Sequence, residues 1–128
     1  MNKFDNYVCI GDYIEKDWNG LTLRAELLHD EFMTPDDFDC YNKEQIESWK
    51  RGDWFFGGLV VSLLSDNVVI GKNLASLWGL DCNIVDENSY LDEVAEELFA
   101  EAEDEARKVV AELLSKLLKV DCEVTYGI

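Results

Sequence analysis

From Ser89 to about Lys119, apolar residues recur three and four positions apart: Leu91, Val94, Ala95, Leu98, Ala102, Ala106, Val109, Leu113 and Leu117. At about 3.6 residues per turn this spacing makes one stripe on a single long helix, which Asn88 or Ser89 can cap. Such a helix is held in water chiefly by burying its stripe, so the rest of the chain must supply a surface to cover it. With 128 residues the chain has room for one domain with a core and not for two, and residues 1–128 are expected to form that single domain.

The covering surface is legible upstream. Trp54–Leu64, "WFFGGLVVSLL", carries no charge and is rich in strand formers. Ser65–Asn67 reads as a tight turn, and Val68–Leu80 returns as a second strand, so a long hairpin is expected. Gly57, Gly58 and Gly71 within it point to a bulge or a close backbone approach. Leu21–Leu27 alternates apolar and polar side chains, which suits a strand with one buried face. Cys122–Tyr126, "CEVTY", alternates too and is expected as an edge strand. Between these, Thr34 before Pro35, Asp36 and Asp37 opens one short helix, and Asn42 with Gln45 three residues on opens another. The expected fold is α+β, an antiparallel sheet with a central hairpin packed against one long amphipathic C-terminal helix.

Twenty-eight acids against 11 bases give a formal net charge of −17. That balance repels nucleic acid and anionic membrane and favours basic partners. No apolar run reaches the roughly 18 residues of a membrane span, and "MNKFDNYVCIGDY" lacks the pattern of a secretory signal, so a cytoplasmic protein is expected. Cys9, Cys40, Cys82 and Cys122 form no Cys-x-x-Cys pair and are expected as buried thiols.

Catalytic chemistry finds little support. His29 is the only histidine and sits beside Asp30 and Glu31. No nucleophile elbow, phosphate loop, dinucleotide fingerprint or calcium loop is present, so no catalytic residue, metal or cofactor is expected. Asp36, Glu47 and Lys50 resemble a nuclease signature only superficially, because Glu47-Ser48-Trp49-Lys50 has one residue too many and reads as helix. Trp49, Trp54, Phe55, Phe56 and Trp78 gather around the hairpin; they are core residues by default, and the aromatic hairpin could also serve a homodimer.

The charge is concentrated in the long helix. Tyr90–Lys108 holds eight acids before its first base: Asp92, Glu93, Glu96, Glu97, Glu101, Glu103, Asp104 and Glu105. The helix dipole favours acids in the first turn only, and Glu103–Arg107, Asp104–Lys108 and Glu112–Lys116 are expected ion pairs. The dipole accounts for Asp92 and Glu93 but not for Glu96 to Glu105, and Glu93, Glu97, Glu101 and Glu105 form a row of like charges four apart in which each pair costs roughly 0.2–0.5 kcal/mol. Eight charges over this stretch amount to one per ~2.6 Å of axis, against ~1.7 Å for duplex DNA. From Asn73 to Ala106 there is no base at all, and Asp86 and Glu87 extend the acidity ahead of the helix. A second base-free run holds Asp30, Glu31, Asp36, Asp37 and Asp39.

These runs, Asp81–Glu105 and Asp30–Asp39, in a small chain without catalytic motifs, resemble the anti-defence proteins of phages and plasmids. That class includes anti-CRISPR and anti-restriction proteins, many of which mimic DNA. The resemblance implies a non-catalytic inhibitor in a bacterial host cell. Its partner would be a basic nucleic-acid-binding complex, a CRISPR effector or a restriction enzyme, bound without direct nucleic-acid contact. Asp92, Glu93, Glu96, Glu97, Glu101 and Asp104, with Asp36, Asp37 and Asp39, are the residues expected to meet it. The same charge logic also fits an immunity or antitoxin protein that neutralises a basic toxin nuclease, or an acidic adaptor subunit.

Overall fold

The computed structural model describes the backbone of residues 2–84 and 88–127 and the side chains of that range as far as residue 120. Asp86 and Glu87 lie outside the described residues, as does the side chain of Cys122. In chain order the elements are β1 (Tyr13–Trp18), β2 (Leu21–His29), a 3-10 turn (Pro35–Asp37), α1 (Lys43–Lys50), β3 (Phe55–Ser65), β4 (Val68–Cys82) and α2 (Tyr90–Gly127). The strands form an antiparallel meander in the order β1-β2-β3-β4.

Two of its turns have the same chemistry. Asn19-Gly20 (φ 52° and 83°) and Asp66-Asn67 (φ 48° and 66°) each link paired strands through two residues with positive φ. That geometry matches the right-handed twist of the flanking strands. Thr34 and Asn42 open the 3-10 turn and α1 as expected, and Asn42 exchanges hydrogen bonds with Gln45 at 2.8 and 2.9 Å.

Alternation along β3 divides the interior in two. Leu59, Val61 and Leu63 face α2 and join one buried cluster with Leu23, Ala25, Leu27, Leu80, Cys82, Leu91, Ala95, Leu98, Phe99, Ala102 and Ala106. Phe56 points to the opposite face, where the rings of Trp54, Phe38 and Tyr41 stand 5.1, 5.6 and 5.9 Å from it. The sheet is therefore sandwiched between α2 and the segment that carries the 3-10 turn and α1. The hairpin glycines mark close approaches: a Cβ on Gly71 would lie 3.1 Å from Val109.

The N-terminal residues are fastened to the start of α2. The Phe4 N–H donates to Asp92 Oδ1 at 2.8 Å, and the Asn83 carboxamide binds both the N–H and the carbonyl of Val8 at 3.0 and 2.8 Å. Asn88 is buried, and its carboxamide bonds Asn83 and the Asn6 carbonyl, so its side chain joins these segments instead of capping the helix.

Three expectations are corrected. Cys122–Tyr126 forms no strand, because its backbone continues α2; once a helix is nucleated each further residue adds a hydrogen bond, and five alternating residues do not outweigh that. Cys9 and Cys40 are exposed, and only Cys82 among the described thiols is buried. The apolar stripe is not buried throughout: Leu117 is 60% exposed, whereas Phe99, at equivalent spacing nearer the N-terminus, is fully buried. The reason is length. Tyr90 reaches Asp81 near one end of β4 and Val109 rests on Gly71, so α2 runs antiparallel to β4 and passes its start, Val68, at about residue 115. Beyond that point Leu117, Leu118 and Val120 have no sheet beneath them. No helix among the described residues is long and apolar enough to cross a membrane.

Candidate functional site

Packing α2 on the sheet through Ala95, Phe99, Ala102 and Ala106 turns its other side to solvent. At 100° per residue Glu93, Glu97 and Asp104 lie opposite the buried stripe, with Glu96 and Glu101 to either side. The fold then divides the eight acids into two groups. Asp92 accepts the Phe4 N–H. Glu103 stands 3.7 Å from Lys16 and 3.9 Å from Arg107. Asp104 pairs with Arg107 and Glu105 with Lys108, each at 2.9 Å and three residues apart. The expected Asp104–Lys108 pair gives way to these, and the Glu105 carboxylate raises the Lys108 pKa.

Glu93, Glu96, Glu97 and Glu101 remain exposed and have no ion pair among the described residues. These four span about 12 Å of helix axis, one charge per ~4 Å, close to the ~3.4 Å spacing along one strand of duplex DNA. Asp104 stays 85% exposed in its surface pair, and such a pair is weak enough to exchange partners. Asp92 is committed to the fold.

The second acidic run is elsewhere. Asp36, Asp37 and Asp39 are exposed in the segment that covers Phe56, on the sheet face opposite α2. Asp37 also accepts the Thr34 N–H at 3.0 Å, which tightens the 3-10 turn. The two acidic runs thus lie on different layers and do not merge into one surface.

They are connected through Asp81. Its carboxylate accepts the Tyr41 hydroxyl at 2.6 Å, and Tyr90 donates to its carbonyl and, at 3.3 Å, to its carboxylate. Burial first, and then the Asp81 charge, raises the pKa of both phenols; the same two causes push the Cys82 thiol up to about 12. This junction has no local sequence signal, since Tyr41 and Tyr90 come from different elements.

His29 is exposed and borders a groove of about 510 Å³ with Asp30, Glu31, Phe32, Met33 and Trp78. No group of His, Cys, Asp or Glu among the described residues has the arrangement of a metal site. Of the hairpin aromatics, Trp54 and Phe56 are buried, Trp49 and Phe55 are half-buried, and Trp78 is 45% exposed. No protein-family model matches this chain, and neither a curated protein nor a solved structure matches it.

Proposed function

We propose that the protein is a non-catalytic inhibitor that blocks the basic site of a nucleic-acid-binding defence complex, a CRISPR effector or a restriction enzyme. The observation that carries this reading is the row Glu93, Glu96, Glu97 and Glu101: exposed, without ion pairs among the described residues, and mounted on the half of α2 that packs on the sheet. Unpaired like charges cost a helix stability. The Lys and Arg side chains of a phosphate-binding site offset that cost, and the contacts they make with carboxylates are charge-assisted. A row fixed on a docked helix meets such a site without further ordering. Asp104 extends it by one turn. Asp36, Asp37 and Asp39, on the other layer, would contribute long-range attraction or meet a second part of the partner.

A cleavage assay tests the proposal. Added in equimolar amount to restriction enzymes and CRISPR effectors, the protein stops DNA cleavage by its target. The variant with Glu93, Glu97 and Glu101 replaced by Gln does not. Undiminished inhibition by that variant contradicts the role given to the row.

A further inference from the structure

The groove beside His29 is built from two fixed walls. One is the turn that follows β2, residues 30–33; the other is β4 around Trp78 and Gly79. Asp30, only 6% exposed, joins them: its carboxylate accepts the N–H of Phe32 and the N–H of Gly79, each at 3.0 Å. Gly79 has φ +75°, a conformation that lets β4 bend at this point. Trp78 is held against the sheet over Gly58, where even a Cβ would come within 2.2 Å of its ring. Met33 lies against Gly79. With its walls set by a buried carboxylate and a glycine contact, the groove shows solvent the Phe32 ring, 91% exposed, one part of Trp78, and the acid Glu31.

An apolar groove alone does not name its occupant; here charge does. The run Asp30–Asp39 holds five acids and no base. Aromatic faces attract cations, and a guanidinium can stack on a ring while its N–H groups reach a carboxylate. A nucleic-acid base could use the rings, but its phosphates would face Glu31 and the acids that follow it, with no Lys or Arg in the groove lining and His29 at its border. We propose that the groove between Phe32 and Trp78 seats an arginine side chain of the basic partner protein, held by the two rings and Glu31. The groove volume of about 510 Å³ accommodates that side chain with its neighbours. This rests on the reading that the partner is basic, and it adds a specific contact to a diffuse one. Asp81, which receives the Tyr90 hydroxyl, is two residues beyond Gly79, so groove and acidic row begin at the same end of β4. One partner reaching around that edge strand can touch both.

The test is a titration of the full chain, followed by amide and indole NMR shifts, with capped Gly-Arg-Gly and with the same peptide carrying norleucine at its centre. The arginine peptide is expected to shift the Trp78 indole and the Phe32 and Gly79 amides saturably, and the norleucine peptide to bind roughly tenfold more weakly. Phe32→Ala, at a position too exposed to matter for folding, lowers arginine-peptide affinity roughly fivefold, and Glu31→Gln lowers it less. Equal binding of the two peptides, shifts confined to Glu93–Glu101, or no effect of Phe32→Ala overturns the proposal. Replacing Glu93, Glu97 and Glu101 by Gln leaves the groove shifts unchanged, so the arginine site and the acidic row can fail separately.

Discussion

Leu98 and Leu117 belong to the same stripe of α2, yet one is 4% exposed and the other 60%. The helical pattern does not change between them; what changes is the surface beneath. Up to about residue 110 the helix lies on β2, β3 and β4, and past the start of β4 it continues alone. Charge divides the same way. The docked half carries the acids on its back, whereas Arg107, Lys108, Lys116 and Lys119 stand against Glu112 alone over residues 106–120. The glutamates without an ion pair among the described residues are therefore mounted on the half that packs on the sheet, and the exposed leucines beyond it have no share in them. A partner that reads spacing between charges needs the first arrangement and gains nothing from the second.

Paired substitutions put that contrast under strain. Phe99→Ala removes a fully buried ring and should cost about 3–5 kcal/mol in urea unfolding, while Leu117→Ala should fall within ~0.5 kcal/mol of the parent. A comparable loss from both would mean that the overhang is packed in solution. Replacing Glu93, Glu97 and Glu101 by Gln removes two like-charge pairs four apart within the row, and a third with Glu105. It should raise stability by about 0.5–1 kcal/mol while weakening partner binding more than tenfold. Lys116→Gln with Lys119→Gln, on the overhang, should leave binding intact.

Alkaline stability probes the junction that holds the two layers together. Cys82, Tyr41 and Tyr90 all have folded pKa values above their ordinary ones, from burial and the Asp81 charge. In the interval above the ordinary values the folded state keeps protons that the unfolded state has lost, so stability is full below about pH 9 and falls as pH rises toward 12. Thermal melts across that range check the slope. In the same window thiol reagents should modify Cys9 and Cys40 quickly and Cys82 only on unfolding. The smallest effect is expected of Lys16→Gln, which removes a partly exposed contact with Glu103 and should cost less than ~0.5 kcal/mol.

Much of this architecture is readable before any coordinates. Periodicity gives α2, and the uncharged run followed by Ser65–Asn67 gives the β3–β4 hairpin, in which Ser65 belongs to the strand and the turn is Asp66-Asn67. β1 is not among the expected strands: Tyr13–Trp18 alternates too weakly to mark one alone, and the signal that could have found it is the Asn19-Gly20 turn ahead of β2. The position of the acids on the solvent side of α2 also follows from the stripe. Which of them are free does not, because Asp92 and Glu103 are engaged by Phe4 and Lys16, residues far away in the chain. Nor does the overhang, which depends on how far β4 extends under the helix. The groove depends on Asp30 reaching Gly79 across 49 positions, a contact without any local pattern.

The central claim is that the exposed glutamate row occupies a site that otherwise holds nucleic-acid phosphates. Competition binding tests it most directly, with labelled duplex DNA on the target complex and this protein as competitor over a range of salt concentrations. The account predicts that the two displace each other in strict competition, with the protein's apparent affinity falling as DNA concentration rises and as salt rises. A ternary complex in which the target holds DNA and this protein together, each at undiminished affinity, would contradict it.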